Sequence, residues 1–292
     1  TQVSWSSEQA ARDFACHLAA TGHRRLDDAH PFADLQLENG IRFHAVLPPL
    51  AVSGIAMSFR VPSHEQFTLE QLRDLGNLAK PIYKKIIEII LERKSFVISG
   101  GTGSGKTTLL AAMLSHVDQS HRIVVIEDSK ELNIDHPHVV KVQSRIANSE
   151  GFGQVTMTDL VRQTLRMRPD RIVVGEVRGS EISDLLLALN TGHKGSATTI
   201  HADDATSVPT RIEALGLLAG LPRQAIHAQM FFAFDFVIQM HDAQRGSRGV
   251  SSIAKFSKHD DGTVFTEVLL FDSVFDDEDS VALGNEKMQV VA

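Results

Sequence analysis

The sequence predicts an α/β fold in which a parallel sheet is covered by helices on both faces, with a smaller α+β domain before it. Two observations predict this fold. Short apolar segments alternate with helical segments through the middle of the chain, which is typical of parallel strands joined by crossover helices. In addition, a glycine-rich segment, Gly100–Thr107, lies between one such strand and the helix that follows.

The first part of the chain predicts the smaller domain. Residues 8–20 predict a helix. Strand patterns follow at 35–38, 41–46 and 55–60. Asn39-Gly40 separates the first two strands, and Asn-Gly between alternating apolar residues is a strong hairpin signal. We therefore assign residues 1–62 to an α+β domain and residues 63–72 to a linker; the alternative is that these elements are an extension of the next domain.

The larger domain is assigned to residues 73–272. Thr68 and Gln71 form a capping-box pattern that starts a helix, and a second helix is predicted over 78–91. Buried strands are predicted at 96–99, 122–126, 171–174 and 197–200. Further helices are predicted at 157–167 and 181–189, a strand at 234–238, and a hairpin formed by 253–257 and 264–271. Residues 273–292 form an acidic tail that we expect to be poorly ordered.

The glycine-rich segment has the residue types of a phosphate-binding loop. Its pattern is G-x-x-x-x-G-K-T, and it has the required position between strand and helix. Glycines let backbone N–H groups turn toward phosphate oxygens, and the N-terminus of the following helix favours the same anion. Lys106 is predicted to reach the β- and γ-phosphates, and the Thr107 hydroxyl is predicted to bind Mg²⁺. The residues assigned to ATP are Gly101, Thr102, Gly103, Ser104, Gly105, Lys106, Thr107 and Thr108.

Composition excludes several classes of protein. The net charge of −7 argues against a protein that coats nucleic acid, so direct nucleic-acid contact is not indicated. The single cysteine, Cys16, excludes an internal disulfide and a multi-cysteine zinc site, and it suits a cytoplasmic protein. No apolar run has the length of a membrane span, and no segment resembles a signal peptide.

Acidic residues follow two of the predicted buried strands. Glu127 and Asp128 end one strand, and Glu176 follows another. Ligands of such sheets bind at the carboxyl ends of the strands, so we assign Asp128 to the metal site and Glu127 and Glu176 to catalysis, with Glu176 orienting water. Many P-loop enzymes have Asp where this chain has Gly175. The alternatives are that Glu127 and Asp128 are acids at a helix start and that Glu176 is a solvated loop carboxylate.

Two histidines are weaker candidates for catalysis. His193 lies in Thr191–Ser196 and His201 follows the strand 197–200. An isolated histidine is often only a hydrogen-bonded structural residue, so both assignments are hypotheses. Most arginines are expected to be solvated, with one or two contacting phosphate. The arginines considered are Arg42, Arg60, Arg145, Arg162, Arg166, Arg168 and Arg178.

These motifs, in this order, resemble those of the type II/IV secretion-system ATPases. The matching segments are Gly-Gly-Thr-Gly-Ser-Gly-Lys-Thr-Thr, Ile-Glu-Asp, Arg-Pro-Asp-Arg-Ile-Val-Val-Gly-Glu-Val-Arg, and Thr-Gly-His-Lys-Gly-Ser with Thr-Ile-His-Ala. In that family they are the Walker A, Asp, Walker B and His boxes. The resemblance covers about residues 35–211 and is strongest to the conjugal-transfer branch of the VirB-type traffic ATPases.

The resemblance implies a RecA-like P-loop domain, a PAS-like N-terminal domain that packs over the nucleotide, and a homohexameric ring. It implies ATP hydrolysis with Mg²⁺ at the inner membrane, with the protein peripherally bound there. The implied partners are inner-membrane components of a type IV secretion apparatus and a coupling ATPase. The family's N-terminal arginines reach the nucleotide, so the resemblance favours Arg42 and Arg60 among the arginines.

Three other functions are compatible with the sequence. A type IV pilus assembly or retraction ATPase has a similar build, although assembly members often carry a four-cysteine zinc motif that this chain lacks. A small-molecule P-loop kinase usually carries an Arg-rich lid and has no use for two His boxes. A nucleotide-gated scaffold would bind ATP with little turnover.

Overall fold

The structure, a computed structural model, describes residues 4–37, 40–61, 65–148, 151–241, 248–272 and the backbone of 289–291. By its internal contacts the chain forms two compact units. The first unit comprises Thr1–His64 and Ser144–Thr156, and the second comprises Glu65–Gln143 and Met157–Ala292. Residues 144–156, which the sequence places in the larger domain, therefore make their contacts with the first unit. The division into an independent domain and a linker stays a prediction.

The first unit is a helix with a small antiparallel sheet. Its elements are α1 (Glu8–Thr21), β1 (Phe32–Gln36), β2 (Arg42–Val46) and β3 (Ala56–Arg60). The sheet order is β1-β2-β3. Alternate residues of the strands, among them Leu35 and Phe43, are buried with Ala15 and Ala19 of α1. The Asn39 half of the predicted Asn-Gly turn lies outside the described residues, but the antiparallel pairing of β1 with β2 agrees with the hairpin prediction.

In its described residues, the second unit is built on a sheet of nine strands. The strands are β4 (Phe96–Ser99), β5 (Ile123–Glu127), β6 (Val139–Gln143), β7 (Arg171–Val174), β8 (Ala197–Ile200), β9 (Phe236–Met240), β10 (Val250–Lys258), β11 (Val264–Asp272) and β12 (Gln289–Val291). Their order is β12-β11-β10-β9-β4-β8-β7-β5-β6. From β9 to β6 all neighbours are parallel.

The predicted strands β4, β5, β7 and β8 are parallel to their neighbours, and the predicted hairpin is confirmed as β10 and β11, so the sheet as a whole is mixed. β10 runs antiparallel to both β9 and β11. The physical reason is local: the short turn at 259–263 joins β10 to β11 as a hairpin, and strands joined by a tight turn are antiparallel. β12 lies within the predicted acidic tail and pairs parallel to β11; residues 273–288 lie outside the described residues.

Helices cover both faces of this sheet. They are α2 (Leu69–Asp74), α3 (Lys80–Leu91), α4 (Lys106–Ser115), α5 (Met157–Thr164), α6 (Glu181–Leu189), α7 (Val208–Leu218) and α8 (Arg223–Ala233). In β4, Phe96 and Ile98 pack into one core with α2, α3 and α4, and Val97 packs into the other with α5 to α8. This alternation is what a strand buried on both faces requires. No helix among the described residues pairs enough length with enough apolar character to span a bilayer.

Candidate active site

The phosphate loop joins β4 to α4 at the carboxyl edge of the sheet. Gly100, Gly103 and Gly105 have φ angles of 147°, 78° and 98°, which glycine adopts without a steric penalty. A Cβ added at Gly100 would lie 2.9 Å from the Cβ of Met240, so the loop also needs glycine for space. Gly105 caps α4 without a side chain, which leaves the first N–H groups of the helix available to an anion.

The other loop residues divide into structural and accessible groups. The buried Ser104 donates its hydroxyl to the carbonyl oxygen of Gly101, at 3.0 Å, and so braces the loop. The side chains of Thr102 and Thr108 are exposed, and Thr107, in the first turn of α4, is half-buried. Of these three threonines, Thr107 is the one that is both half-buried and in the first turn of α4.

Lys106 is folded against the loop that it follows. Its side chain is buried, and Nζ donates to the carbonyl oxygens of Gly100 at 2.8 Å and Gly101 at 2.7 Å. Burial lowers the pKa of Lys106, and the charge of Glu176 partly offsets that effect. A lysine held at the loop by backbone carbonyls is available to phosphate oxygens, which are stronger acceptors.

Glu176 is the central carboxylate of the site. Its Oε2 accepts a hydrogen bond from Nη2 of Arg178 at 2.6 Å. Its Oε1 lies 2.8 Å from Nε2 of His201, but without hydrogen-bond geometry, and among the described residues this buried oxygen has no hydrogen-bond donor. Burial works to raise the pKa of Glu176, but the hydrogen bond from Arg178 and the charges of Arg178, His201 and Lys106 together lower it.

Arg178 joins the two acidic motifs. Besides Glu176, it donates from Nη1 to Oδ2 of Asp128 at 3.1 Å. The sequence predicted that most arginines are solvated. The side chain of Arg178 is 53% exposed, but its two terminal nitrogens, Nη1 and Nη2, both form ion pairs with carboxylates. The sequence feature that could have predicted these contacts is the position of Arg178, two residues after Glu176 and at the same sheet edge as Asp128.

Glu127 faces the chain that follows it rather than Arg178. Its Oε1 accepts from the backbone N–H groups of Glu131 at 2.9 Å and Leu132 at 2.7 Å. Burial raises the pKa of Glu127, and these two hydrogen bonds oppose that shift. A Cβ at Gly175 would lie 3.1 Å from Cγ of Glu127, so the side chain is packed against the strand end. Its contacts are those of a structural acid, and a catalytic role for it stays a prediction.

The donors of this edge fit Mg²⁺ by their chemistry. The Thr107 hydroxyl and the Asp128 carboxylate are hard oxygen ligands, and Asp128 is 44% exposed. The part of the chain that the structure describes has no group of three or more His, Cys, Asp or Glu arranged to hold a metal. Mg²⁺ in phosphate sites is usually held by one or two protein oxygens together with phosphates and waters.

The two candidate histidines lie at opposite ends of strand β8. His201 directly follows β8 and lies beside Glu176. Burial, with the charge of Lys106, lowers the pKa of His201 and so disfavours its protonated form. His193 precedes β8, and its Nδ1 lies 2.9 Å from the carbonyl oxygen of Ala188. Because β4 and β8 are parallel, the structure does not bring His193 to the phosphate loop of the same chain.

Arg42 and Arg60 belong to the first unit. They are directly opposite each other in the ladder between β2 and β3. Arg42 Nη2 lies 3.5 Å from Oδ2 of Asp34 on β1. The ladder therefore presents two guanidinium groups from adjacent strands, and their assignment to the nucleotide stays a prediction.

Known proteins are similar to this chain in both sequence and fold. The family model described as "Type II/IV secretion system protein" matches residues 7–245. A protein of Mycobacterium tuberculosis (strain ATCC 25618 / H37Rv) whose name assigns it to conjugal transfer is 47% identical over 260 residues, which cover 87% of this chain and 74% of that protein. The conjugal transfer protein TrbB of Rhizobium radiobacter is 34% identical over 226 residues, which cover 76% of this chain and 67% of TrbB.

A solved structure gives the same result. The VirB11 ATPase of the Brucella suis type IV secretion system, in complex with sulphate, aligns with a TM-score of 0.53 and 26% identity. The alignment covers 85% of this chain and 80% of that one. With a family model matching most of its length, this chain belongs to the type II/IV secretion system protein family.

Proposed function

We propose that this protein hydrolyses ATP to power a conjugative type IV secretion system, with DNA or protein transfer and pilus biogenesis as the processes served. The observation that carries the proposal is the convergence of Lys106, Glu176 and His201 at the carboxyl edge of one sheet. Family membership supplies the reaction class, and the names of the mycobacterial and rhizobial relatives favour conjugation over the pilus ATPases.

The phosphate loop holds the substrate in this proposal. Its backbone N–H groups and the start of α4 surround the phosphates, and Lys106 exchanges its two carbonyl partners for oxygens of the β- and γ-phosphates. Thr107 directly and Asp128 through water would hold Mg²⁺, which would neutralise charge on the phosphates. Thr102 and Ser104 of the loop and Thr108 of the first turn of α4 complete the proposed ATP site.

Glu176 acts on the attacking water. Its Oε1 is buried and has no donor among the described residues, so it can accept a proton from a water placed against the γ-phosphate. Arg178 fixes the carboxylate through Oε2 and keeps it ionised. His201 lies in the same pocket beside Glu176, and burial with the charge of Lys106 lowers its pKa and so disfavours a second cation beside Lys106.

The assembly proposed is a homohexameric ring with a RecA-like ATPase domain and a PAS-like N-terminal domain in each subunit. Arg42 and Arg60 supply positive charge to the nucleotide in this ring. The partners proposed are inner-membrane components of the secretion apparatus and a coupling ATPase, with the protein bound peripherally to the cytoplasmic side of the inner membrane. The net charge of −7 supports contact with proteins rather than with nucleic acid.

The test is complementation of DNA transfer in a donor strain that lacks the gene. We expect wild type to restore transfer and Lys106→Ala to restore none, with no ATPase activity from the purified variant. A Glu176→Gln variant that binds ATP, fails to hydrolyse it and still supports transfer would favour the nucleotide-gated scaffold. Loss of pilus retraction with normal transfer would favour a retraction ATPase instead.

A further inference from the structure

Gln239 is a buried amide in an otherwise apolar strand. It lies near the carboxyl end of β9, is 6% exposed, and has Val237, Ile238 and Met240 as buried neighbours along the strand. Burying an amide without hydrogen bonds is costly. Its partners therefore show why an amide is present where the rest of the strand is apolar.

The two ends of the amide are bonded to two different segments, the end of β4 and the loop after β8. Its Oε1 accepts a hydrogen bond from the hydroxyl of Ser99 at 2.5 Å. Its Nε2 donates to the carbonyl oxygen of Asp203 at 3.0 Å, with longer contacts to the carbonyl oxygens of Ala202 at 3.4 Å and Met240 at 3.3 Å. One side chain thus connects the end of β4 to the segment after β8.

Both connected segments belong to the candidate active site. Ser99 directly precedes the phosphate loop, and Asp203 lies two residues after His201. The neighbour of Gln239, Met240, packs against the same loop, because a Cβ at Gly100 would lie 3.0 Å from the Met240 carbonyl oxygen. The end of β9 is therefore in contact with the phosphate loop and with the His201 segment at once.

We propose that Gln239 is a positioning residue that couples the phosphate loop to residues 201–204, so that nucleotide bound at the loop orders the His201 segment. This inference rests on the proposed ATPase function. An amide suits the task because it offers one acceptor, used by Ser99, and one donor group, used by Asp203. Gln239 does not touch the reacting atoms; it acts through the segments that do.

Two substitutions break the connection at its two ends. Gln239→Glu keeps the acceptor for Ser99 but replaces the donor with a carboxylate that faces the carbonyl oxygen of Asp203. Ser99→Ala keeps the bond to Asp203 and removes the bond to β4. The matched control is Ser251→Ala, which loses a hydroxyl bonded to the backbone oxygen of Gln239 at 3.3 Å and leaves its amide intact.

The readout is amide hydrogen exchange at residues 201–206, measured with and without Mg²⁺ and the ATP analogue AMP-PNP. In wild type and Ser251→Ala we expect the analogue to slow exchange in this segment. In Gln239→Glu and Ser99→Ala we expect that slowing to fall by about tenfold while the affinity for AMP-PNP changes by less than about threefold. ATP turnover is expected to fall with KM little changed.

The double variant separates coupling from general damage. If the two ends form one connection, Ser99→Ala adds little to the loss already caused by Gln239→Glu, whereas independent effects would multiply. Should Gln239→Glu fail to fold, Gln239→Met keeps a similar volume without either hydrogen bond and serves in its place.

Three outcomes would overturn the proposal: nucleotide-dependent protection of residues 201–206 that is intact in Gln239→Glu, no such protection in a wild type that binds AMP-PNP, or multiplying effects in the double variant. Failure of wild type to bind AMP-PNP would instead overturn the proposed ATPase function, so the two failures are distinguishable.

Discussion

At the scale of single residues, the environment of Glu176 predicts that this carboxylate is needed for ATP hydrolysis but not for ATP binding. The carboxylate has one oxygen fixed by Arg178 and one without a donor in the described structure. Gln at this position keeps the shape but cannot accept a proton, so Glu176→Gln should bind ATP as wild type does and turn over about 10²–10⁴-fold more slowly. Equilibrium binding and steady-state hydrolysis on the same preparation measure the two quantities.

The control for this variant is Glu267→Gln, which changes an exposed carboxylate on β11. It should leave both binding and turnover unchanged. A Glu176→Gln protein with wild-type turnover would remove Glu176 from the mechanism, and one with weak binding would make it a residue of the nucleotide pocket rather than a base.

Asp128 and Glu176 share Arg178 but should differ in their dependence on metal. Asp128 is the more exposed carboxylate and is assigned to the Mg²⁺ shell, so Asp128→Asn should raise the Mg²⁺ concentration needed for half-maximal activity. Glu176→Gln should lower activity at every Mg²⁺ concentration without shifting the midpoint. Titration of Mg²⁺ at saturating ATP measures this, and the reverse pattern would exchange the two roles.

Arg178 sets the pH range over which Glu176 can act. A carboxylate is a base only when ionised, so activity is lost as the pH falls through its pKa. The hydrogen bond and charge of Arg178 lower the pKa of Glu176, and their removal lets burial raise it. Arg178→Gln should therefore lose activity at a higher pH than wild type does.

The measurement for this prediction is the pH profile of kcat/KM at saturating Mg²⁺, with thermal stability followed over the same range. Arg162→Gln, which removes the ion pair of the exposed Arg162 with the mostly buried Asp184 of α6, is the matched arginine control. An unshifted acid limb in Arg178→Gln would show that a group other than Glu176 governs it.

At the scale of secondary-structure elements, the starts of β7 and β8 are joined by a buried arginine. Arg171 is 2% exposed and donates to the carbonyl oxygens of Gly195 at 3.0 Å and Ile90 at 3.0 Å. Burial, followed by the like charge of Arg93, lowers its pKa to about 10. A Cβ at Gly195 would lie 2.5 Å from Nη1 of Arg171, so alanine there would force this buried, hydrogen-bonded guanidinium to shift.

Gly195→Ala should therefore destabilise the protein more than a backbone effect explains. Gly192→Ala is the matched control, because Gly192 also has a positive φ, 110°, but no atom of the described residues lies within 4 Å of an added Cβ. We expect about 1–2 kcal/mol for the control and about 1–3 kcal/mol more for Gly195→Ala. Urea unfolding of both variants gives the difference, and equal losses would contradict the clash.

The sequence predicted those elements whose signal is local. The capping box at Thr68 and Gln71 is present with both hydrogen bonds, and the apolar runs of β4, β5, β7 and β8 are wholly buried strands. Neither β6 nor the helices α7 and α8 were predicted. β6 is only partly buried at the sheet edge, and α8 mixes polar and aromatic residues along its length. Neither β6 nor α8 therefore shows a strong hydrophobic period in the sequence.

The candidate site was predictable where one motif determines one position. The phosphate loop and the acids after β5 and β7 follow from strand ends at one sheet edge. The contacts of Arg178 with Asp128 and of Gln239 with Ser99 were not predicted because they depend on which strands become neighbours: Gln239 meets Ser99 only because β9 lies beside β4 in the sheet. Strand order is a property of the whole fold, and no local pattern encodes it.

At the scale of the whole molecule, the proposed homohexamer makes a prediction about where the arginines act. Arg42 and Arg60 are cross-strand partners in the first unit, and an arginine supplied to a phosphoryl-transfer site is worth about 10³–10⁵ in rate. If Arg60 serves the nucleotide, Arg60→Ala should lose most ATPase activity. Native mass spectrometry with nucleotide should show hexamers of both the wild type and Arg60→Ala. Monomers alone at micromolar concentration would contradict the ring.

Mixing two inactive variants decides whether that arginine comes from the same subunit or a neighbour. Subunits carrying Arg60→Ala retain Glu176, and subunits carrying Glu176→Gln retain Arg60. In a ring whose arginine comes from the neighbour, a mixed assembly contains complete sites, so activity should reappear on mixing and pass through a maximum near equal proportions. If each subunit serves its own site, every site in the mixture lacks one group and activity stays absent. Full activity of Arg60→Ala alone would remove Arg60 from the site and leave Arg42 as the arginine to test.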